Sequence, residues 1–266
     1  MGPGLVIVRP EDAAHAVHAA IARLEAADVA LETPFPALAL LAAGRFERVR
    51  DALRAGPATD ALPLVLARYV AWTGDLRTAA GLWEKARSAM DTLLAGGDDA
   101  LKLATCAELA STATDLGDPQ LAARLHGTAR KLRDAGTVGI SAAGDADVVH
   151  RFVHEALGAE PGATRHRLRL RPRVGGGLEV RQVRFGDGSV SLRVEVSGRG
   201  VSCVVEQDAG AIPATVLLEP VVAGSLVSAT VDGKPAELAP RSHEGGTLVP
   251  VQLVLDEART LELELG

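Results

Sequence analysis

Aromatic side chains are scarce in this chain: two Trp, one Tyr and four Phe among 266 residues. Proteins that stack bases on side-chain rings need more of them. Only Phe185 lies beyond residue 158, which argues against an aromatic-platform carbohydrate-binding module in the C-terminal half. Cysteine is almost missing. Cys106 and Cys203 stand far apart in segments of different character, so neither a disulfide framework nor C-x-x-C metal spacing is present, and each reads as a small buried hydrophobe. No apolar run approaches the roughly 20 residues of a membrane span. The first residues carry no basic region and only a short apolar run, Leu5 to Val8, which is too little for a secretory signal. The cytoplasm is therefore the expected location. Positive charge is not in excess either: 28 Lys and Arg against 34 Asp and Glu give a net charge of −6, which makes nucleic acid a poor partner. What remains is a folding chain, 47% hydrophobic and 23% charged, long enough for a large core.

Two periodicities divide it. Up to about Gly158 the apolar spacing is helical. Leu76, Ala79, Trp83, Ala86, Met90 and Leu93 recur every three or four residues, and Val149, Phe152, Val153 and Leu157 do the same later. Glycine followed by aspartate at Gly74-Asp75 and Gly117-Asp118 marks a helix end and the next N-cap, with Pro119 in the first turn. The spacing predicts helices near residues 10–27, 37–43, 45–55, 60–73, 76–95, 99–116, 119–135 and 145–157, joined by short turns as antiparallel hairpins. The turns at Gly44, Gly74 and Gly117 fall at unequal intervals, unlike a tetratricopeptide array. After Gly158 the period becomes two, as in residues 167–171, 189–196 and 260–265, with glycine turns between the runs. An antiparallel β-sandwich is expected there. The expected organisation is thus an all-α domain over residues 1–158 and a sandwich over residues 159–266, divided in the Gly/Pro-rich stretch 158–164.

Several blocks together resemble the six-hairpin glycosidases, within them the amylo-α-1,6-glucosidase and α-L-rhamnosidase-like enzymes. Arg68-Tyr69-Val-Ala-Trp72-Thr-Gly74-Asp75, leading to Trp83, is similar to their R-Y-x-x-x-T-G-D…W hairpin. Glu108 with Gly117-Asp118 and Arg124 resembles the next hairpin. The passage from Val149 through Gly158 to Arg173 looks like their last barrel helix entering a C-terminal β-sandwich. The resemblance implies an α+β multidomain fold, an incomplete (α/α) toroid of hairpins followed by an antiparallel sandwich. It also implies hydrolysis by two carboxylates, one acid and one base. The family's acid lies in earlier hairpins that this chain lacks. Its base lies in a Glu- and Trp-bearing loop before the final helix, where residues 137–147 offer neither residue type. The implied function is that of a carbohydrate-related protein built like the C-terminal part of such an enzyme, glycoside hydrolase-like but without turnover as an isolated chain. The alternative is a non-catalytic helical scaffold that holds a protein partner.

The candidate residues each carry a plainer reading beside the functional one. Asp145 and Asp147 are the nearest match to a catalytic carboxylate, yet Asp145 also suits a helix N-cap. Glu32 lies in a Pro-containing loop of the kind that displays site residues. Trp72, Tyr69 and Arg68 are the ligand-binding candidates, with core packing at helical spacing the plainer role for Trp72, as for Trp83. His150 and His154, at i and i+4, share a helix face that could chelate a metal, but the His-Glu-x-x-His order and a third ligand are absent, so interdomain packing is the plainer role. Arg165, Arg167, Arg169, Arg171 and Arg173 should share one strand face opposite Leu168 and Leu170, as an anion site or as a wet face paired with acids. The glycine runs lack the context of a P-loop or dinucleotide fingerprint, so no cofactor is expected. Fewer helices than a closed toroid should leave an open apolar helical face, covered by a second copy or another chain. A glycan is the remaining expected partner, with no membrane or nucleic acid.

Overall fold

The computed structural model describes residues 5–138, 140 and 142–266. Helix boundaries follow local chemistry. Asp75, Asp98 and Asp118 each accept a hydrogen bond from the backbone N–H three residues on (Thr78, Leu101 and Leu121, at 2.9, 2.9 and 3.1 Å), which satisfies donors that a helix start leaves open. Gly74 adopts the left-handed conformation that ends the preceding helix. The helices are α1 (Glu11–Ala26), α2 (Phe35–Ala42), α3 (Phe46–Ala55), α4 (Leu62–Thr73), α5 (Leu76–Gly96), α6 (Asp99–Asp115), α7 (Pro119–Asp134) and α8 (Gly144–His150), which winds on as a π-helical turn, Arg151–Ala156. No helix among the described residues is long and apolar enough to cross a membrane.

α4 packs on α5 and α6, α6 on α7, and α8 on both α1 and α2. Met90, Leu93, Cys106, Leu109 and Leu125 form a separate cluster between α5, α6 and α7. Both cysteines are free and buried. The other helices share one core with the strands: Leu40, Leu66 and Trp72 belong to the same cluster as Val180, Val205 and Leu261. The expected open apolar face is largely closed. Among the described residues the exposed large hydrophobics are Val138 and four β-side positions, Val196, Ile212, Val227 and Val254. On the helical side, a groove of about 480 Å³ lies between α1 and α8, lined by Ala13, Ala16, Val148 and Phe152. The reason is that the helices turn their apolar stripes onto the sheets as well as onto one another.

The first 158 residues are not all helical, which corrects the expectation. Val6–Arg9 is a strand, β1, whose β-branched run pairs antiparallel with a strand of the C-terminal half (Val6 opposite Arg181, Ile7 opposite Val180) and buries Leu5 and Ile7. Helix then gives way to strand between Ala156 and Glu160. The remaining strands are β2 (Glu160–Gly162), β3 (Arg167–Leu170), β4 (Arg173–Val174), β5 (Leu178–Phe185), β6 (Gly188–Ser197), β7 (Gly200–Ala209), β8 (Ala214–Leu218), β9 (Val221–Val222), β10 (Leu226–Val231), β11 (Lys234–Pro235), β12 (Arg241–His243), β13 (Gly246–Leu248), β14 (Val251–Leu255) and β15 (Arg259–Leu265). One sheet has the order β1-β5-β6-β7-β15-β10-β11, antiparallel throughout. Two smaller sheets have the orders β14-β8-β3-β2 and β12-β13-β9-β4.

The small sheets are two stretches of the same chain passes. β3 runs into β4 across Pro172, β8 into β9 across Pro220, and β13 into β14 across Pro250. Each proline lacks an N–H and interrupts its ladder at a matching level. The carbonyls there keep the passes tied: Pro172 accepts from Val221 N–H at 2.9 Å and Pro220 from Val249 N–H at 3.0 Å. The pairs β3–β8 and β4–β9 are parallel, a departure from the antiparallel expectation. The helical and β halves are joined at several points. Gly186 N–H donates to the Trp72 carbonyl at 2.7 Å, and Arg184 donates to the Gly44 carbonyl at 2.8 Å while its guanidinium lies 4.8 Å from the Phe46 ring centre.

Candidate functional site

The carboxylates at the start of α8 are already engaged. Asp145 is not the N-cap, a position Ala143 takes without a side-chain bond. It lies in the first turn, where Arg23 of α1 grips both its oxygens at 2.9 and 2.6 Å. Those hydrogen bonds, with the charge of Arg23, hold the carboxyl below the usual range, the wrong direction for a proton donor. Asp147 pairs with Arg151 one turn on, at 2.5 Å. Glu32 is exposed in the loop between α1 and α2.

The ligand-binding candidates separate into core and surface. Trp72 and Tyr69 are 1% and 3% exposed and present no ring face to a ligand. Tyr69 donates its hydroxyl to Asp75 at 2.8 Å, while the other Asp75 oxygen caps α5. Burial, helped by the Asp75 carboxylate, pushes the phenol up to about 12. Arg68, the third candidate, pairs with Glu108 of α6 at 2.8 Å. Its positive charge also reaches both histidines and disfavours their protonation. The His150 and His154 rings are 4.7 Å apart, tilted by 45°. Burial, then the positive charge of Arg68, then His150, push the His154 imidazole down to about 3. Among the described residues no group of three His, Cys, Asp or Glu side chains is arranged to hold a metal ion.

The arginine run is broken up by the fold. Arg165 sits in a 3-10 turn, Ala163–Arg165, and Arg173 lies past the Pro172 break, so the five do not form one strand face. Leu168 and Leu170 are buried as the alternation requires. Arg171 converges on the buried Glu219 at 2.9 and 3.1 Å, and Arg169 reaches it at 3.4 Å while also bonding Glu160 at 2.7 Å. Removing Glu219 leaves guanidinium charge without its partner in a half-enclosed site. Glu219→Ala is expected to cost roughly 2–3 kcal/mol, short of the full penalty for a buried pair because both arginines keep some solvent. Glu160→Ala, on the exposed side of the same network, should cost less than about 1 kcal/mol. Urea denaturation midpoints of the two variants test the order, and equal losses would show that burial of Glu219 is not what sets its role.

A second gathering of ionisable groups was not singled out from the sequence. On the solvent side of β5, β6 and β7, a cleft of about 330 Å³ is lined by Glu179, Arg181, Ser191, Arg193, Glu206 and Asp208. In sequence these are merely the outward positions of alternating strands.

No protein-family model matches the chain, and no curated protein matches it. Similar solved structures include an α-L-rhamnosidase from Dictyoglumus thermophilum, 9% identical, with a TM-score of 0.33, covering 61% of this chain and 21% of that one. A GH127 β-L-arabinofuranosidase from Geobacillus stearothermophilus T6 is 11% identical, with a TM-score of 0.31, covering 87% and 41%. A glycoside hydrolase family 44 endoglucanase from Clostridium acetobutylium ATCC 824 is 10% identical, with a TM-score of 0.23, covering 77% and 42%. The chain spans less than half the length of each of these proteins.

Proposed function

We propose that this chain is a carbohydrate-related protein built like the C-terminal part of a six-hairpin glycoside hydrolase, an incomplete α/α toroid joined to a β-sandwich, and that it carries no hydrolytic carboxylate pair of its own. The observation that carries the absence of a catalytic pair is the state of the carboxylates in the first turn of the last helix. Acid–base hydrolysis needs one carboxyl group held protonated and a second facing it across the scissile bond. Asp145 is instead clamped in its ionised form by Arg23, and Asp147 is paired with Arg151. Glu32 stands exposed in the loop between α1 and α2. The test is turnover of aryl α- and β-glycosides and malto-oligosaccharides by the purified chain. The expected result is no hydrolysis above the uncatalysed rate. Hydrolysis that disappears with Asp145→Asn or Glu32→Gln overturns the reading.

A further inference from the structure

From the cleft on the outer face of β5–β7 we infer a binding site for a neutral mono- or disaccharide. This deepens the carbohydrate reading and rests on it for the class of polyol. The cleft is shaped by two ladder irregularities, one on each neighbour of β6. On β5 the register slips between Val180 and Val183, with Gln182 in the left-handed conformation at φ +58°. On β7 it slips at Asp208, which has no ladder partner between Gln207 and Ala209. Bulges bend a strand and re-aim its side chains, and they gather next to functional sites. Here they meet at Ser191. Its Oγ donates to the Asp208 carboxylate, with both oxygens at 2.8 Å, and accepts from Gln182 N–H at 3.4 Å.

The charge pattern selects the ligand. Three carboxylates and two guanidiniums line the cleft, close to balance. Arg181 spends two N–H groups on one oxygen of Glu179, at 2.8 and 2.5 Å, and Arg193 lies 3.8 Å from Glu195. A charged ligand would compete with these pairs. A neutral polyol would leave them intact, because a guanidinium has five N–H donors and a carboxylate about four lone-pair sites. The spare donors of Arg181 and Arg193 and the spare acceptors of Glu206 and Asp208 present the mixed edge that adjacent hydroxyls require. Val204, opposite Arg193 in the register, supplies apolar floor for the C–H face of a ring. The volume lies at the small end of ligand pockets, which run from roughly 300 to 1,000 Å³, so the site suits a short saccharide. With no aromatic side chain in the lining, affinity should be millimolar.

The test is an amide-resolved NMR titration of the full chain with maltose, cellobiose and L-rhamnose, and with D-glucosamine and D-glucuronate as cationic and anionic counterparts. The expected result is saturable shifts at Arg181, Ser191, Arg193 and Glu206 with at least one neutral sugar, weakened at least about tenfold by Arg193→Ala and by Glu206→Gln. Both variants lie on the solvent face, and an otherwise unchanged amide spectrum verifies their folding. The wild-type shift map decides the matter even if one variant fails to fold. Tighter binding of either charged sugar at the cleft overturns the proposal, as does the absence of saturable shifts with the whole neutral panel. Sugar-induced shifts confined elsewhere overturn the cleft and leave the carbohydrate reading standing. Glycoside turnover by the chain overturns the non-catalytic reading and leaves the cleft untouched.

Discussion

Acidification from pH 7 to pH 4 is expected to remove about 3 kcal/mol of folding stability through one side chain, His154. In the unfolded chain its imidazole takes a proton near the ordinary value of 6.5, whereas in the folded protein it does so only near 3. Between these limits the unfolded state binds the extra proton. Stability from this group is therefore complete above pH 6.5 and is lost at about 1.4 kcal/mol per pH unit as the pH falls towards 3. The cause is geometric. The ring is largely enclosed in the π-helical turn after α8, 4.7 Å from the His150 ring and within the field of the Arg68 guanidinium from α4. A second positive charge has nowhere favourable to sit. His154→Gln keeps a polar, non-titrating side chain in place. Urea unfolding of both proteins between pH 7 and pH 4 should show the variant losing about 3 kcal/mol less than the wild type. Parallel stability curves would mean that His154 protonates in the folded state without penalty.

That prediction depends on an encounter the sequence did not reveal, and the same is true of most of what the sequence missed. Features set within a few residues were legible. The starts of α5 and α7 follow from Asp75 and Asp118, and the inward leucines of β3 from strict alternation. The core role of Trp72 was visible as helical spacing, while that of Tyr69 was not singled out. Features set by a distant partner were not. Val6–Arg9 is too short to show a period, and its place depends on the free edge of β5. Asp145 has the local signature of an N-cap, but Arg23 from α1 claims its carboxylate. The parallel pairing of β3 with β8 is a matter of which passes lie side by side, and alternation carries no information about direction. The polar cleft depends on bulges, which are register events between strands, while each of its strands reads alone as an ordinary solvated face.

Gly158→Ala is expected to be among the most damaging single-methyl changes, costing roughly 3 kcal/mol, about 1 of it from the backbone angle and the rest from forced separation of packed backbone. Gly158 stands where the π-helical turn ends and the chain turns towards β2, with φ at +62°. A β-carbon there would come within 2.6 Å of both the Arg171 β-carbon and its carbonyl oxygen. The carbonyl belongs to backbone and cannot swing aside like a flexible side chain. Arg171 N–H donates to the Leu157 and Gly158 carbonyls at 3.0 and 3.2 Å, so the collision falls on the hydrogen bonds that hold the last helical turn to the β3–β4 pass. It also falls beside the Arg171–Glu219 pair, which the displaced strand would carry away from its geometry. Gly117→Ala separates the two contributions. Gly117 has φ at +79° and nothing within 4 Å of the added carbon, so that variant should show only the backbone cost, about 1 kcal/mol. Denaturation midpoints of the two variants give the comparison. Similar losses would show that the helix-to-strand joint yields easily, and that the helical and β halves are less firmly tied at Arg171 than the contacts imply.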